Sequence, residues 1–330
     1  MKVAFFSSKS YDITSFEKHN NGSHDITFYE STLNTKTVKL SQGCDAVCAF
    51  VNDHLHERTI KLLSEYGVKL IAMRCAGFNN VDLKAAKAHN IKVVRVPAYS
   101  PMAVAEHATA LILTLNRKTH KAYNRVRDGN FSLERLTGFD LYGKTVGVVG
   151  TGKIGQYFCK IMTGFGCKVI AYDLYPNEDL KALGVTYVSM DDLLNASDII
   201  SLHCPLTEDT QHLIGKVAFS KMKKGAMLIN TSRGGLINTV EAVEALKNKT
   251  LEYFGIDVYE QEEKLFFRDL SENIIMDDVI SRLISFPNVL ITSHQGFLTH
   301  EALEQIANVT LKNLNDFEAG KTLENEVDFN

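Results

Sequence analysis

The chain has 330 residues, 45% of them apolar and 23% charged, with a formal net charge of −3. That length exceeds one ordinary core and points to two domains, and the composition is that of a soluble globular protein. The near-neutral balance, without a dense Lys/Arg run, excludes electrostatic capture of nucleic acid, and no apolar run approaches the ~20 residues that span a bilayer.

In chain order, residues 1–8 lack the long apolar core of a signal peptide and read as a first strand. Strands are predicted at 3–7, 26–29, 46–50, 70–74 and 92–96, with helical stretches such as 58–66 and 82–89 between them. Such alternation implies a parallel sheet with helices on its faces. At Val96-Pro97-Ala98-Tyr99-Ser100-Pro101 the pattern breaks: Ser100 suits an N-cap and Pro101 a first helical turn. The long helix that follows repeats Val104, Ala108, Leu111, Ile112 and Leu115 on one face, and its position suits a connector between two sheet domains. Ala105, Ala110 and Leu113 widen its apolar surface toward a partner, and His107 reads as a helix-surface or interface group.

A second sheet opens with a β-branched strand at 144–149, followed by Gly150-Thr151-Gly152-Lys153-Ile154-Gly155. A helix at 156–165 follows, with Ile154, Phe158, Ile161 and Met162 at helical spacing, and then a strand at 168–172 that ends on Asp173. Strand, glycine turn, helix, strand, acid is the order a dinucleotide site needs. The glycines permit a tight turn and close approach of the pyrophosphate, and the helix N-terminus offers unpaired N–H groups and a positive dipole end. Asp173, 18 residues after Gly155, suits the ribose hydroxyls of NAD and would repel a 2′-phosphate.

Further strands are predicted at 185–188, 198–202, 226–230, 254–258 and 289–292, and a last helix at 301–314 with Leu303, Ile306, Val309, Thr310 and Leu314 on one face. Residues 318–330 are polar and expected along the surface. The six cysteines form no C-x-x-C pair and read as buried, reduced thiols of a cytoplasmic protein. His54 and His56 lack a second ligand pair, so no metal site is expected.

Parallel sheets place ligands beyond the carboxyl ends of their strands. That rule selects His203-Cys204-Pro205, then Thr231-Ser232-Arg233-Gly234-Gly235, then Asp257 with Glu262 or Glu263, and Ser293-His294-Gln295. Arg233 can hold a carboxylate through two parallel N–H···O bonds, a geometry that lysine lacks. Imidazole exchanges protons near neutral pH, so His294 suits a proton donor to a carbonyl and an acceptor from a hydroxyl. A nearby glutamate can orient that ring, and spacing alone does not separate Glu262 from Glu263. Asp257 suits either a nicotinamide contact or a strand-end cap.

With these residues assembled, the sequence resembles the D-2-hydroxyacid dehydrogenase family, within it the fermentative NAD-dependent D-lactate dehydrogenases. The resemblance runs nearly end to end, through Gly43-Cys44-Asp45-Ala46-Val47, Arg74-Cys75-Ala76-Gly77-Phe78-Asn79-Asn80-Val81-Asp82, Val94–Pro101, Ala105-Glu106-His107, Gly150–Gly155, Asn230–Gly234 and Ser293–Phe297. It implies an α/β fold of two Rossmann/flavodoxin-like parallel-sheet domains. The cofactor domain, 101–297, would be inserted into a discontinuous substrate domain, 1–100 and 298–330. It implies Arg233, Glu262 and His294 as catalytic residues. Cofactor contacts would come from Gly150, Gly152, Lys153, Ile154, Gly155, Asp173, Cys204, Pro205, Thr231, Ser232 and Asp257. Substrate contacts would come from Ala76, Gly77, Tyr99, Arg233, His294 and Phe297. Thr210 stands where related enzymes often carry asparagine near the adenine side. The implied activity is reversible reduction of pyruvate to D-lactate by NADH, in a homodimer or homotetramer. Bulkier 2-keto acids, or NAD sensing without catalysis, are the alternatives.

Overall fold

The computed structural model describes residues 1–327. In chain order it runs β1 (Lys2–Phe5), α1 (Ser10–Asn20), β2 (Asp25–Phe28), β3 (Ala46–Ala49), α2 (Glu57–Glu65), β4 (Leu70–Met73), α3 (Leu83–Ala88) and β5 (Lys92–Val94). Then come α4 (Pro101–Arg117), α5 (Thr119–Arg127), β6 (Thr145–Val149), α6 (Lys153–Gly164), β7 (Lys168–Tyr172), α7 (Glu178–Ala182), β8 (Thr186–Tyr187), α8 (Met190–Ala196) and β9 (Ile199–Leu202). The chain ends with α9 (Lys216–Lys221), β10 (Ala226–Asn230), α10 (Thr239–Lys247), β11 (Leu251–Ile256), α11 (Asp278–Ser285), β12 (Val289–Ile291) and α12 (His300–Glu318). Side chains that accept a backbone N–H start many of the helices: Asp82, Asn177, Ser189, Asn238, Asp277 and Thr299.

Two compact units result: Met1–Ser100 with the segment from Phe297 onward, and Pro101–Gly296, which is inserted within the first along the chain. The first carries a parallel sheet in the order β2-β1-β3-β4-β5. The second carries a parallel sheet in the order β12-β11-β10-β9-β6-β7-β8. These are the flavodoxin-like order and the dinucleotide-binding order with one strand added, so the α/β class read from the sequence holds. Strand order reverses between β1 and β3 in one sheet and between β6 and β9 in the other, where ligand crevices form. No helix among the described residues is long and apolar enough to cross a membrane.

Three expectations need correction. α4 packs into the second unit: Ala105, Ala108, Leu111, Ile112 and Leu115 lie in its core with Val146, Phe158, Met162 and Ile229, so Ala105 is not part of a partner surface. β8 has two residues where four were predicted, because only Thr186 and Tyr187 pair with β7. The tail after α12 does not simply lie along the surface. Asn325 accepts the Arg95 N–H, Glu326 bridges Val94, and Val327, 4% exposed, donates its N–H to Val93. The tail thus covers backbone groups that β5, an edge strand, would leave open; residues 328–330 lie outside the described residues.

Candidate active site

In the second unit, the chain turns after β6 at Gly150, whose φ of +93° suits glycine. A Cβ there would lie 2.6 Å from the Cys204 nitrogen, and one at Gly155 would lie 2.1 Å from the Gly150 carbonyl oxygen. Packing at the β6/β9 switch point therefore requires both glycines. Gly152 is different, since a Cβ would meet nothing within 4 Å. Its bare backbone leaves room in front of α6, whose first turn has no side-chain cap and keeps its N–H groups for an anion. Lys153 and Ile154 open that helix.

Asp173 follows β7. Its Oδ2 accepts the Thr151 N–H and, at 3.0 Å, the Thr151 hydroxyl, while Oδ1 accepts the Tyr175 N–H at 2.8 Å. Beyond β9, the His203 ring sits 2.9 Å from the Ser201 hydroxyl and lies tilted against Phe158, 4.8 Å ring to ring, and burial pushes it down to about 3. That histidine is neutral and structural. Burial pushes the neighbouring Cys204 thiol up to about 11, and the exposed Pro205 follows it.

After β10 the Asn230 side chain closes the next turn. It donates to the Arg233 carbonyl at 2.8 Å and accepts the Ser232 N–H at 3.0 Å. The Ser232 hydroxyl donates to the Cys204 carbonyl at 2.6 Å, which joins this turn to the one after β9. Thr231 is 7% exposed and its Oγ1 has no hydrogen-bond partner among the described residues. A buried hydroxyl left unpaired is expensive, on the order of 1–3 kcal/mol, unless something binds to it. Open space at Gly152, an uncapped helix start and this orphaned hydroxyl fit a bound dinucleotide. The Arg233 guanidinium makes one hydrogen bond among the described residues, from Nη1 to the Ser232 carbonyl at 2.7 Å. Its other donors remain for a ligand. Gly234 lets this turn press against the next segment, because a Cβ there would lie 2.1 Å from the Tyr259 carbonyl carbon.

Asp257, at the end of β11, is 1% exposed. Its carbonyl accepts the His294 N–H at 2.7 Å, Oδ1 accepts the Gln295 N–H at 2.9 Å and the Thr292 hydroxyl, and Oδ2 accepts the Gly296 N–H at 2.8 Å. Burial alone would raise this carboxyl, but the His107 ring, Thr292 and Gln295 together hold it below the usual carboxylate range. The loop after β12 is thereby clamped, and His294 is held at φ +51°, a left-handed conformation uncommon outside glycine.

The His294 Nδ1 lies 2.9 Å from Glu262 Oε1, and Glu262 Oε2 accepts the Tyr259 N–H at 3.0 Å. Glu262 rather than Glu263 therefore meets the ring. A carboxylate can only accept, so Nδ1 carries the proton and Nε2 is left to exchange one. The Phe267 ring lies 6.0 Å from the imidazole. Through Gly234, Tyr259 and Glu262, the arginine turn and the histidine are joined by direct contacts within one unit.

His107 corrects the sequence reading. The ring is half-buried, and its Nε2 lies 3.0 Å from Thr292 Oγ1 and 3.3 Å from Asp257 Oδ1. The signal was present: position 107 lies three residues after Val104 and four before Leu111, on the buried face of α4.

In the first unit, Ala76 and Gly77 follow β4. The Ala76 carbonyl accepts Arg95 Nη1 at 3.0 Å and the Gly77 carbonyl accepts the Cys75 thiol at 3.2 Å. Neither residue's N–H donates to another described residue, so two adjacent donors stand free. Phe297 lies 6.1 Å from Tyr99 and 6.2 Å from Phe50, ring to ring. Among the described residues no three His, Cys, Asp or Glu side chains gather as a metal ion would need.

Comparison with known proteins accords with this geometry. Residues 109–296 match the family model for the D-isomer specific 2-hydroxyacid dehydrogenase, NAD binding domain. The chain is 52% identical over 328 residues to the D-lactate dehydrogenase of Escherichia coli (strain K12), covering 99% of this chain and 100% of that protein. Its structure is similar to the apo-structure of D-lactate dehydrogenase from Escherichia coli, with a TM-score of 0.92 and 50% identity over 99% of this chain and 100% of that one. It is also similar to the pyruvate reductase of Chlamydomonas reinhardtii, with a TM-score of 0.95 and 46% identity over 98% of both chains.

Proposed function

The chain belongs to the D-isomer specific 2-hydroxyacid dehydrogenase family, whose NAD binding domain forms its second unit, and from that premise we propose that it reduces pyruvate reversibly to D-lactate. The names of the relatives support the substrate and product. The observation that carries the chemistry is the 2.9 Å bond from His294 Nδ1 to Glu262, which dedicates Nε2 to proton exchange.

NADH, when bound, supplies the hydride to the keto carbon. Gly150, Gly152, Gly155, Lys153, Ile154, Asp173, Cys204, Pro205, Thr231, Ser232 and Asp257 are the residues proposed to hold it. His294 Nε2 delivers the accompanying proton to the ketone oxygen, so that one hydride and one proton turn C=O into CH–OH. Glu262 stabilises the imidazolium before transfer and fixes the ring's orientation afterwards. In the reverse direction neutral Nε2 accepts the hydroxyl proton. Arg233 pairs with the substrate carboxylate and polarises the ketone, using donors that its single protein bond leaves free. Within the first unit, the free N–H groups of Ala76 and Gly77 are proposed as donors to a substrate carboxylate, and Tyr99 and Phe297 as apolar substrate contacts. Six free thiols support a reducing, cytoplasmic setting. We propose a homo-oligomer, at least a dimer.

Activity with NADH on pyruvate, phenylpyruvate and 2-ketoisocaproate, with chiral analysis of the product, tests this reading. We expect the highest kcat/KM on pyruvate and D-lactate as product. A preference for either larger acid makes the protein a dehydrogenase of bulkier 2-hydroxy acids. Absence of NADH oxidation on all three makes it a binding protein.

A further inference from the structure

We infer that Tyr187 is a positioning residue for the cofactor: acting through Thr151, it orients the carboxylate of Asp173, which the proposed function places among the residues that hold NADH and the sequence reading sets against its ribose. Tyr187 lies on β8, paired with Ala171 of β7, the strand that leads into Asp173. The Asn177 N–H lies 2.9 Å from the Tyr187 oxygen, that oxygen lies 3.0 Å from Thr151 Oγ1, and Oγ1 lies 3.0 Å from Asp173 Oδ2.

The two ends dictate the direction of this chain. A backbone N–H can only donate and a carboxylate can only accept, so every hydroxyl proton points toward Asp173. The phenol donates to Thr151, and Thr151 donates to the carboxylate while its own N–H reaches the same oxygen. Hydrogen bonds aligned in this way strengthen one another, and the last is charge-assisted. Thr151 is 3% exposed, so water is poorly placed to replace the phenol. With Oδ2 held by Thr151 and Oδ1 by the Tyr175 N–H, the remaining acceptor positions of Asp173 are kept in one orientation. The second residue of the glycine turn thus links ribose recognition to a strand at the sheet's edge. Loss of the phenol leaves the turn, the charge and both backbone N–H bonds to Asp173 in place, and weakens the hold of the Thr151 hydroxyl on Oδ2.

Fluorescence titration of NADH onto the full-length protein tests this. Tyr187→Phe and Thr151→Val should each weaken NADH binding by about three- to tenfold, the factor that one hydrogen bond contributes. Thr151→Ser keeps the hydroxyl and should stay within about twofold of the parent. The double variant Tyr187→Phe/Thr151→Val should bind no worse than Thr151→Val alone, because both break one chain. In turnover the loss should fall on KM for NADH rather than on kcat, a split that general destabilisation would not produce. Wild-type NADH affinity in Tyr187→Phe, or full multiplication of the two losses, overturns the inference. Asp173→Ala separates it from the reading beneath it. If that variant keeps its NADH affinity, the ribose assignment falls. If it loses affinity while Tyr187→Phe does not, the positioning role alone falls. Should Tyr187→Phe fail to fold, the Thr151→Val and Thr151→Ser pair decides the matter.

Discussion

The carboxyl edges of the two sheets treat charge in opposite ways. At the five-stranded edge, charges are sealed. Arg74 is 2% exposed, pairs with Asp12 at 3.3 Å, donates to the Phe6 and Ser7 carbonyls, and lies over the rings of Phe5 and Phe50. Asp53 there accepts from Ser7, Leu33 and Phe50. Among the described residues, the buried side-chain atoms left unpartnered at this edge are neutral, Ser8 Oγ and Asn52 Oδ1, beside the free N–H groups of Ala76 and Gly77. At the seven-stranded edge the leftover groups include charged and titratable ones, namely most of the Arg233 guanidinium and His294 Nε2. The same strand-end rule selects both edges. Whether a charge there is structural or chemical depends on how many of its hydrogen bonds the protein already satisfies.

Four substitutions or titrations can break or sharpen that contrast. The largest effect is expected at His294: its replacement by glutamine should lower kcat by roughly 10²–10⁴-fold with NADH affinity retained. Near-parental turnover in a stopped-flow assay would remove the proton role. At the sealed edge, Asp12→Ala strands a buried guanidinium and should reduce stability by about 3–5 kcal/mol in urea unfolding, while the folded fraction still binds NADH. A variant as stable as the parent would show that Arg74 is not held by this pair. Arg233→Lys keeps the charge and loses the fork, so steady-state kinetics should show a raised KM for pyruvate together with a lowered kcat. Unchanged constants would place Arg233 among the structural charges.

The last contrast concerns pH. Folding pushes His203 from its ordinary value of 6.5 down to about 3, so the unfolded chain binds a proton that the folded chain refuses. The stability this neutral ring provides is fully present above pH 6.5 and is lost as pH falls toward 3. Melting temperatures across that window should fall less steeply in His203→Asn than in the parent; identical slopes would exclude His203 as the cause.

Much of this was legible along the chain, because strand and helix patterning and the glycine turn are local. β7 and β10 have the predicted bounds, 168–172 and 226–230. The predicted strand at 70–74 overran to Arg74, whose side chain is buried by ion pairing rather than by the β4 ladder. Residues 318–330 read as polar surface because nothing local announces that Glu326 and Val327 will cover β5.

The sequence by itself determined the α/β class, the dinucleotide turn and the strand-end turns that carry Arg233 and His294, since each depends on residues close together in the chain. Spacing left Glu262 and Glu263 equal and the resemblance pointed to Glu262, but only the tertiary structure set its oxygen against the His294 ring; it alone decided that His107 faces Asp257 rather than solvent, and that Thr151 joins Tyr187 to Asp173. Those outcomes depend on which donor meets which acceptor across segments far apart in number. A hydrogen bond's partner is settled by distances of about 3 Å that no periodicity encodes.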